Sequence, residues 1–349
     1  MSTSLLKKAA TYLYAFGVNW RLRKFHSGHY TIRKLNSPVI SVGNLTVGGT
    51  GKTPCTAFIA NFLKADGLQV AILSRGYKRK SKGLVEVSNG QEILCEAAQA
   101  GDEPYLLAQL CPGVRVIVNA DRNEAGKWLE SKAKIDVFLL DDGYQHIQLH
   151  RDLNLLLMDG NNPIGNGQLL PTGVLREPVT EIARADAVIA TRVEAETNRD
   201  AIRELLDLHS CGSVPLFFSH HEITAFKLLN AIAPLSAFNH QPVAAFSGIA
   251  QPARFFADLQ RNNLQLVHQQ SFPDHHRYSQ EELQEIFQQA QQRKAEAIIT
   301  TEKDAANLPY NVLMQAPLPI YAAQLQFKIE NELEFKQLVR QKINDCLQR

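Results

Sequence analysis

The stretch Pro38–Pro54 reads PVISVGNLTVGGTGKTP: apolar and β-branched residues run into a glycine cluster, then a lysine, a threonine and a proline. The fingerprint of a nucleotide-phosphate loop is GxxxxGK[ST] between a strand and a helix. Here the window is Thr46, Val47, Gly48, Gly49, Thr50, Gly51, Lys52 and Thr53, with a threonine at the first glycine position. Glycines let backbone N–H groups converge on phosphate oxygens, and the following helix adds its partial positive charge. Lys52 would reach the outer phosphates, and Thr53 would present its hydroxyl to Mg²⁺.

Outward from this loop, short apolar runs alternate with helical patterns. PVISVGN, QVAILSRGY, VRVIVNA, IDVFLLDD, DLNLLLMDG and ADAVIATR read as strands, with helices between several of them and from about Asn198 to Leu208. Apolar runs buried on both faces indicate a mostly parallel sheet with crossover helices. VPLFFSHHEI opens a less regular region through Pro234, after which PVAAFSGIA, LQLVHQQSF, AEAIITTEKD and LPIYAAQL form a second α/β set. The expected class is α/β, a P-loop NTPase-like, mostly parallel sheet with a second, smaller α/β domain. The expected division is a segment 1–35, a phosphate-loop domain 36–225 and a smaller domain 226–349.

DVFLLDDGYQH reads as a buried strand ending in Asp141 and Asp142. An acid at the end of a strand beside a phosphate loop holds Mg²⁺ directly or through water, the alternative being a cap or turn residue. The guanine-reading motif of GTPases is missing, since TTEKD sets Lys303 directly beside Asp304. The lysine that partitioning ATPases carry before the double glycine is here Val47. A kinase of a small molecule or lipid gains weight.

The formal net charge of +2 conceals an asymmetry. No acidic residue occurs before Asp66, whereas Lys7, Lys8, Arg21, Arg23, Lys24, Arg33 and Lys34 are basic. Leu5–Trp20, LLKKAATYLYAFGVNW, is too short in its apolar core to span a bilayer and lacks a secretory cleavage site. As a helix it puts Leu5, Ala9, Leu13, Phe16 and Trp20 on one stripe. That suits a helix lying among lipid headgroups, where each basic side chain adds roughly 1 kcal/mol against an anionic leaflet, or equally a helix packed on the protein's own core. Five scattered cysteines without a CxxC pair suggest neither a disulfide framework nor a zinc site.

SVGNLTVGGTGKTP, LSRGYKRK, GDEPYLLA, LDDGYQH, GNGQLLPTGVLREP, FPDHHRYS and TTEKDA occur in this order from Ser41 to Ala305. Together they resemble the tetraacyldisaccharide 4′-kinases of lipid A biosynthesis, whose loop also begins with a threonine. The resemblance implies transfer of the ATP γ-phosphoryl group to the 4′-hydroxyl of a tetraacylated glucosamine disaccharide 1-phosphate, giving lipid IVA. It further implies Mg²⁺, a smaller domain closing over the cleft, and a peripheral enzyme on the cytoplasmic face of the Gram-negative inner membrane. Its partners would be a glycolipid embedded in an anionic membrane surface, with no nucleic acid, and the chain would act as a monomer.

A sugar hydroxyl is a poor nucleophile, so a positioned carboxylate that accepts its proton assists transfer. Asp102 in AGDEP is the candidate; spacing alone favours a helix cap before Glu103-Pro104, and the resemblance reverses that order. The resemblance pairs it with a histidine of PDHH, His275, with His276 the competing choice. Arg176 and Glu177 of LREP would contact phosphate and join the Mg²⁺ shell, unless they form a surface salt bridge. Arg75 would meet nucleotide or lipid phosphate. The run Lys78, Arg79, Lys80, Lys82 would face solvent or headgroups, and TTEKD has no role beyond shaping the cleft or capping a helix through Thr301. Two other readings remain open, an ATP-driven switch that recruits a partner at the membrane and a kinase of a soluble metabolite.

Overall fold

The structure is a computed structural model that describes residues 2–193, 196–210, 213–228, 231–234, 238–314 and 316–348. A long helix α1 (Ser2–His26) precedes the first lobe. That lobe runs β1 (Val39–Asn44), α2 (Lys52–Ala65), β2 (Val70–Ser74), β3 (Val85–Asn89), α3 (Ala97–Ala100), α4 (Asp102–Leu110), β4 (Arg115–Val118) and α5 (Arg122–Glu130). It continues through β5 (Val137–Asp141), β6 (Leu153–Asp159), β7 (Ala187–Thr191) and α6 (Glu196–His209). Then come β8 (Leu216–Leu228), β9 (Ala231–Pro234), β10 (Pro242–Ser247), α7 (Pro252–Arg261), β11 (Gln265–Ser271) and α8 (Gln280–Gln292). The last elements are β12 (Ala297–Thr301), α9 (Glu302–Ala305), α10 (Tyr310–Leu313), β13 (Ile320–Ile329) and α11 (Glu332–Leu347).

All strands belong to one sheet, in the order β11-β10-β12-β13-β8-β7-β6-β1-β5-β2-β4-β3, with β9 on β8. Every residue of β1, β2, β5, β6, β7 and β12 is buried, which is why these runs read as continuously apolar. Two parallel blocks, one from β7 to β4 and one from β11 to β13, are joined by the antiparallel pairing of β13 with β8. β7 pairs with β8 only over Leu216–Ser219, and β12 pairs with β13 only over Ile320–Ala323. Between these flanks His220–Ile223 of β8 pair with Leu325–Lys328 of β13 as a two-stranded ribbon, next to a register shift at Gln324/Leu325. Ribbons of two strands twist more than wide sheets, so this joint can bring two sheets round a common cleft.

The region read as irregular from Val214 to Pro234 is therefore mostly strand. Its alternation is hidden by the polar pair His220-His221 and by the register shift at Thr224, which sets the buried Ile223 and Phe226 three residues apart. The boundary expected at 225/226 falls inside β8. Moreover, α11, at the end of the chain, packs back on the phosphate-loop lobe. Its Phe335, Val339 and Ile343 join Ile59, Phe62 and Leu63 of α2 in one core cluster.

Helix α1 is held by polar contacts on one side. Tyr14 Oη donates to the Arg176 carbonyl at 2.9 Å, Arg21 Nη2 donates to Glu177 Oε1 at 2.6 Å, the Thr11 and Thr172 hydroxyls touch, and Leu22 is buried. The other side is open: Leu6, Tyr12, Leu13, Phe16 and Trp20 are between 50% and 78% exposed. The stripe foreseen in the sequence thus faces outward at Leu13, Phe16 and Trp20, while the Leu5 side chain lies outside the described residues. Among the described residues no helix is long and apolar enough to cross a membrane.

Phe335 is fully buried and its ring meets those of Phe58 and Phe217. Phe335→Ala should cost about 3–5 kcal/mol in denaturant unfolding. The same truncation at exposed Leu333 should cost less than about 0.5 kcal/mol.

Candidate active site

The carboxyl ends of the parallel strands converge on one cleft of about 1690 Å³. Loops after β1, β2, β5 and β7 enter it from the first lobe, and loops after β10, β11 and β12 from the second. Ligands of open α/β sheets bind at such carboxyl edges. The ribbon residues His220, His221 and Leu325–Lys328 line it between the lobes, and Tyr14, Gly17 and Arg21 of α1 border it.

The glycine-rich loop spans the end of β1 and the start of α2. Gly51, immediately before α2, has φ 83°, and a Cβ there would lie 2.8 Å from His221 Cε1, so only glycine fits. Lys52 Nζ donates to Asn44 Oδ1 at 3.3 Å and lies 3.6 Å from Asp142 Oδ1. Thr46 is buried and bridges to Leu175, and the Val47 amide donates to the Val174 carbonyl at 2.8 Å. The segment before Arg176 thereby braces the loop. Val47 through Thr53 all line the cleft.

Asp141 ends β5 in full burial, accepting from Ser74 Oγ at 3.3 Å and Thr56 Oγ1 at 3.4 Å. Burial, with Glu103 and Asp142 nearby, pushes its carboxyl up to about 7, partly offset by Lys52. Asp142 follows with φ 49° and accepts from Arg176 Nη1 at 2.8 and 3.0 Å. Burial opposes its ionisation, but Lys52 and Arg176 prevail and hold it below the usual carboxylate range. Two adjacent acids beside one ammonium are hard oxygen donors short of positive charge, a set that suits Mg²⁺. Among the described residues no three His, Cys, Asp or Glu side chains cluster as a metal cage.

Glu177 lies elsewhere in the network from where the sequence put it. Its side chain is fully buried, with one oxygen bound by Arg21 of α1 and the other by Arg184. Both oxygens are engaged in an ion-pair triad that anchors α1, not turned to the phosphate loop. Arg176 does reach the cleft, and Arg75 lines it from the end of β2.

Asp102 and His275 are 173 residues apart and in contact. His275 Nδ1 donates to Asp102 Oδ2 at 3.0 Å, and Arg277 Nη2 donates to Asp102 Oδ1 at 3.3 Å. Asp102 opens α4 and is 5% exposed; its side chain makes no cap bond to the helix. Burial works against its charge, but the His275 bond and the charges of Arg277, His275 and Lys303 hold it below the usual range. His276, the competing histidine, stacks on Phe272 and donates from Nε2 to Glu282 at 3.0 Å, at the start of α8. It packs the second lobe, while His275 faces the first.

Several cleft residues carried no sequence signal. Arg192, with φ 62°, donates to the Gly49 carbonyl at 2.5 Å and to Gln251 Oε1 at 3.2 Å. Arg254 of α7 pairs with Asp159 of β6 at 2.8 Å, tying the second lobe to the first. Arg122 is buried beside the cleft, its guanidinium lowered to about 10 by burial and by Arg75. Lone arginines in unremarkable contexts are legible only after folding.

A family model described as tetraacyldisaccharide-1-P 4′-kinase matches residues 3–344. The chain belongs to this kinase family. It is 41% identical over 319 residues to the tetraacyldisaccharide 4′-kinase of Geobacter metallireducens, covering 90% of this chain and 91% of that one. It is 45% identical over 282 residues to that of Pelobacter propionicus, covering 79% and 75%. The crystal structure of LpxK from Aquifex aeolicus in complex with ATP superimposes with a TM-score of 0.78 at 36% identity, covering 98% of this chain and 99% of that one. The family resemblance read from the seven motifs holds, and so does the P-loop α/β class.

In this 4′-kinase family member the depressed Asp102 carboxyl has a consequence for folding. A carboxylate lowered on folding adds stability that is complete above its unfolded value and lost as pH falls through the folded one. Asp102→Asn should therefore melt below the parent at pH 7, and the gap should close below about pH 4. Thermal melts across that range check it.

Proposed function

We propose that the chain transfers the γ-phosphoryl group of ATP to the 4′-hydroxyl of a tetraacylated disaccharide 1-phosphate, forming lipid IVA in lipid A synthesis. The observation that carries the mechanism is the Asp102–His275 bond, made between two lobes at a cleft that also holds the phosphate loop. The amides from Thr46 to Thr53 and the Lys52 ammonium grip the triphosphate, and Arg75 and Arg176 contact phosphate on the donor or the acceptor. Thr53, Asp141 and Asp142 would hold Mg²⁺, which when bound neutralises phosphate charge and aligns the outer phosphates. The acceptor hydroxyl gives its proton to the Asp102–His275 pair as its oxygen bonds to phosphorus and the bond to the ADP oxygen breaks. Asp102, kept ionised, orients the imidazole and stabilises the positive charge that develops on it. The second lobe, built on β10, β11 and β12 and without α11, closes over the cleft through the β8–β13 ribbon and excludes water.

The acceptor's acyl chains lie in a bilayer while its sugars protrude. The outward apolar stripe of α1, flanked by Lys7, Lys8 and Arg23, brings the cleft to that sugar without extracting the lipid. We place the protein peripherally on the cytoplasmic face of the Gram-negative inner membrane, acting as a monomer.

With Mg-ATP and detergent-dispersed acceptor, Lys52→Ala and Asp102→Ala should each lower kcat/KM by about 100-fold or more, read as ADP released per acceptor phosphorylated. Lipid-independent ATP hydrolysis of unchanged rate would refute the transfer reading. Paired changes at exposed positions away from the cleft, Tyr12→Glu with Phe16→Glu, should abolish flotation with anionic vesicles yet leave activity on dispersed acceptor within about twofold.

A further inference from the structure

The turn Thr301–Asp304 carries the one motif, TTEKD, that the chemistry above leaves unused. Asp304 is buried to 3% exposure and gathers four donors. Its Oδ1 accepts from Tyr278 Oη at 2.9 Å, and its Oδ2 from Thr301 Oγ1 at 2.7 Å and Ser247 Oγ at 3.3 Å. The Gly248 amide donates to both oxygens at 3.1 Å. Gly248 is itself the backbone partner of His275, whose amide donates to the Gly248 carbonyl at 3.2 Å. One carboxylate thus grips the segment around His275 at both ends, through Gly248 at the histidine and through Tyr278 three residues on.

His275 needs such a grip. Its φ of 64° is left-handed, a conformation disfavoured for a non-glycine residue that persists only when its surroundings impose it. The clamp is tight: a Cβ on Gly248 would fall 2.9 Å from Tyr278 Oη, 3.0 Å from Asp304 Oδ1 and 3.1 Å from His276 Cβ. Next to Asp304, Lys303 Nζ donates to Asp274 Oδ1 at 2.8 Å. The other oxygen of Asp274 lies 3.7 Å from His275 Nε2. Lys303 therefore draws toward itself a carboxylate that would otherwise favour the ring proton on Nε2 over the Nδ1 proton that Asp102 accepts.

We infer that the Thr301–Asp304 turn is the positioning device of His275: Asp304 fixes its strained backbone through Gly248 and Tyr278, and Lys303 restrains Asp274 so that Asp102 remains the partner of the ring. The inference rests on His275 belonging to the proton-accepting pair, and the experiment separates the two claims. Tyr278→Phe, Asp304→Asn and Lys303→Met are compared with the parent by acceptor-saturated kinetics, Mg-ATP calorimetry and ¹⁵N NMR of the imidazoles, His275 being assigned by its loss in His275→Gln. Misplacing a reacting group by about 1 Å costs on the order of 100-fold. Asp304→Asn should lower kcat by about that factor and Tyr278→Phe by about tenfold, with Mg-ATP affinity within about twofold of the parent.

The ¹⁵N resonances of His275 should move in all three variants while those of His146 and His150 stay. Folded variants with parental His275 resonances would overturn the inference, as would kcat falling only in step with the unfolded fraction. Tyr278→Phe removes one oxygen atom and carries the test if Asp304→Asn does not fold. Parental kcat in His275→Gln would instead sink the catalytic reading, leaving the resonance shifts to decide the positioning claim alone.

Discussion

The ladder between β8 and β13 is the constraint on which the cleft depends. Strands in a parallel block all point one way, so their carboxyl-end loops crowd one edge. Two such blocks joined by an antiparallel pair have those edges at opposite ends unless the junction curls. The stretch where only His220–Ile223 and Leu325–Lys328 pair supplies the curl, because nothing on either flank restrains its twist. The ribbon is both the only sheet connection between the lobes among the described residues and a wall of the cleft. Its placement lets a histidine from the loop after β11 meet an aspartate at the start of α4.

What was legible in the sequence follows from this division. The parallel blocks announced themselves because strands buried on both faces must be apolar throughout, as in VFLLD and LNLLLMD. The ribbon did not, since its middle residues face solvent and cleft and carry histidine, glutamate, glutamine and lysine. Helix α11 also went unread. Its apolar residues Phe335, Val339 and Ile343 are helically spaced, but nothing in that spacing says they pack on α2, some 275 residues earlier. The glycine-rich loop is local chemistry and could be read locally. The Asp102–His275 pair came from resemblance alone, because no rule of spacing connects positions that only the folded ribbon brings together.

Glu177 shows how charge is misread without the fold. Beside Arg176 in LREP it reads as a ligand for a cation, and it does bind cations, but those of Arg21 and Arg184. Desolvating a carboxylate is expensive, so each oxygen of the fully buried Glu177 needs a cationic partner, and Arg21 supplies one of the two. The contact is therefore a strong constraint on where α1 sits, which suits a helix whose apolar residues are largely turned outward. With that surface exposed, the helix is fastened to the lobe largely by polar contacts. The fastening reaches Arg176 as well, through Tyr14 and the Arg176 carbonyl.

The cleft's electrostatics follow one pattern. Five of its cations are already matched internally: Lys52 and Arg176 with Asp142, Arg192 and Arg254 with Asp159, Lys303 with Asp274. Such pairing satisfies buried charge without a ligand, but it means that a polyphosphate entering the cleft competes with carboxylates for the same donors. Positive charge then has to arrive beside Asp141 and Asp142 for both to stay ionised near the incoming phosphates. A nucleotide accompanied by a divalent cation meets that requirement, whereas a bare one would place anion against anion. The carboxylates that satisfy these cations thus have to yield them when an anionic ligand enters.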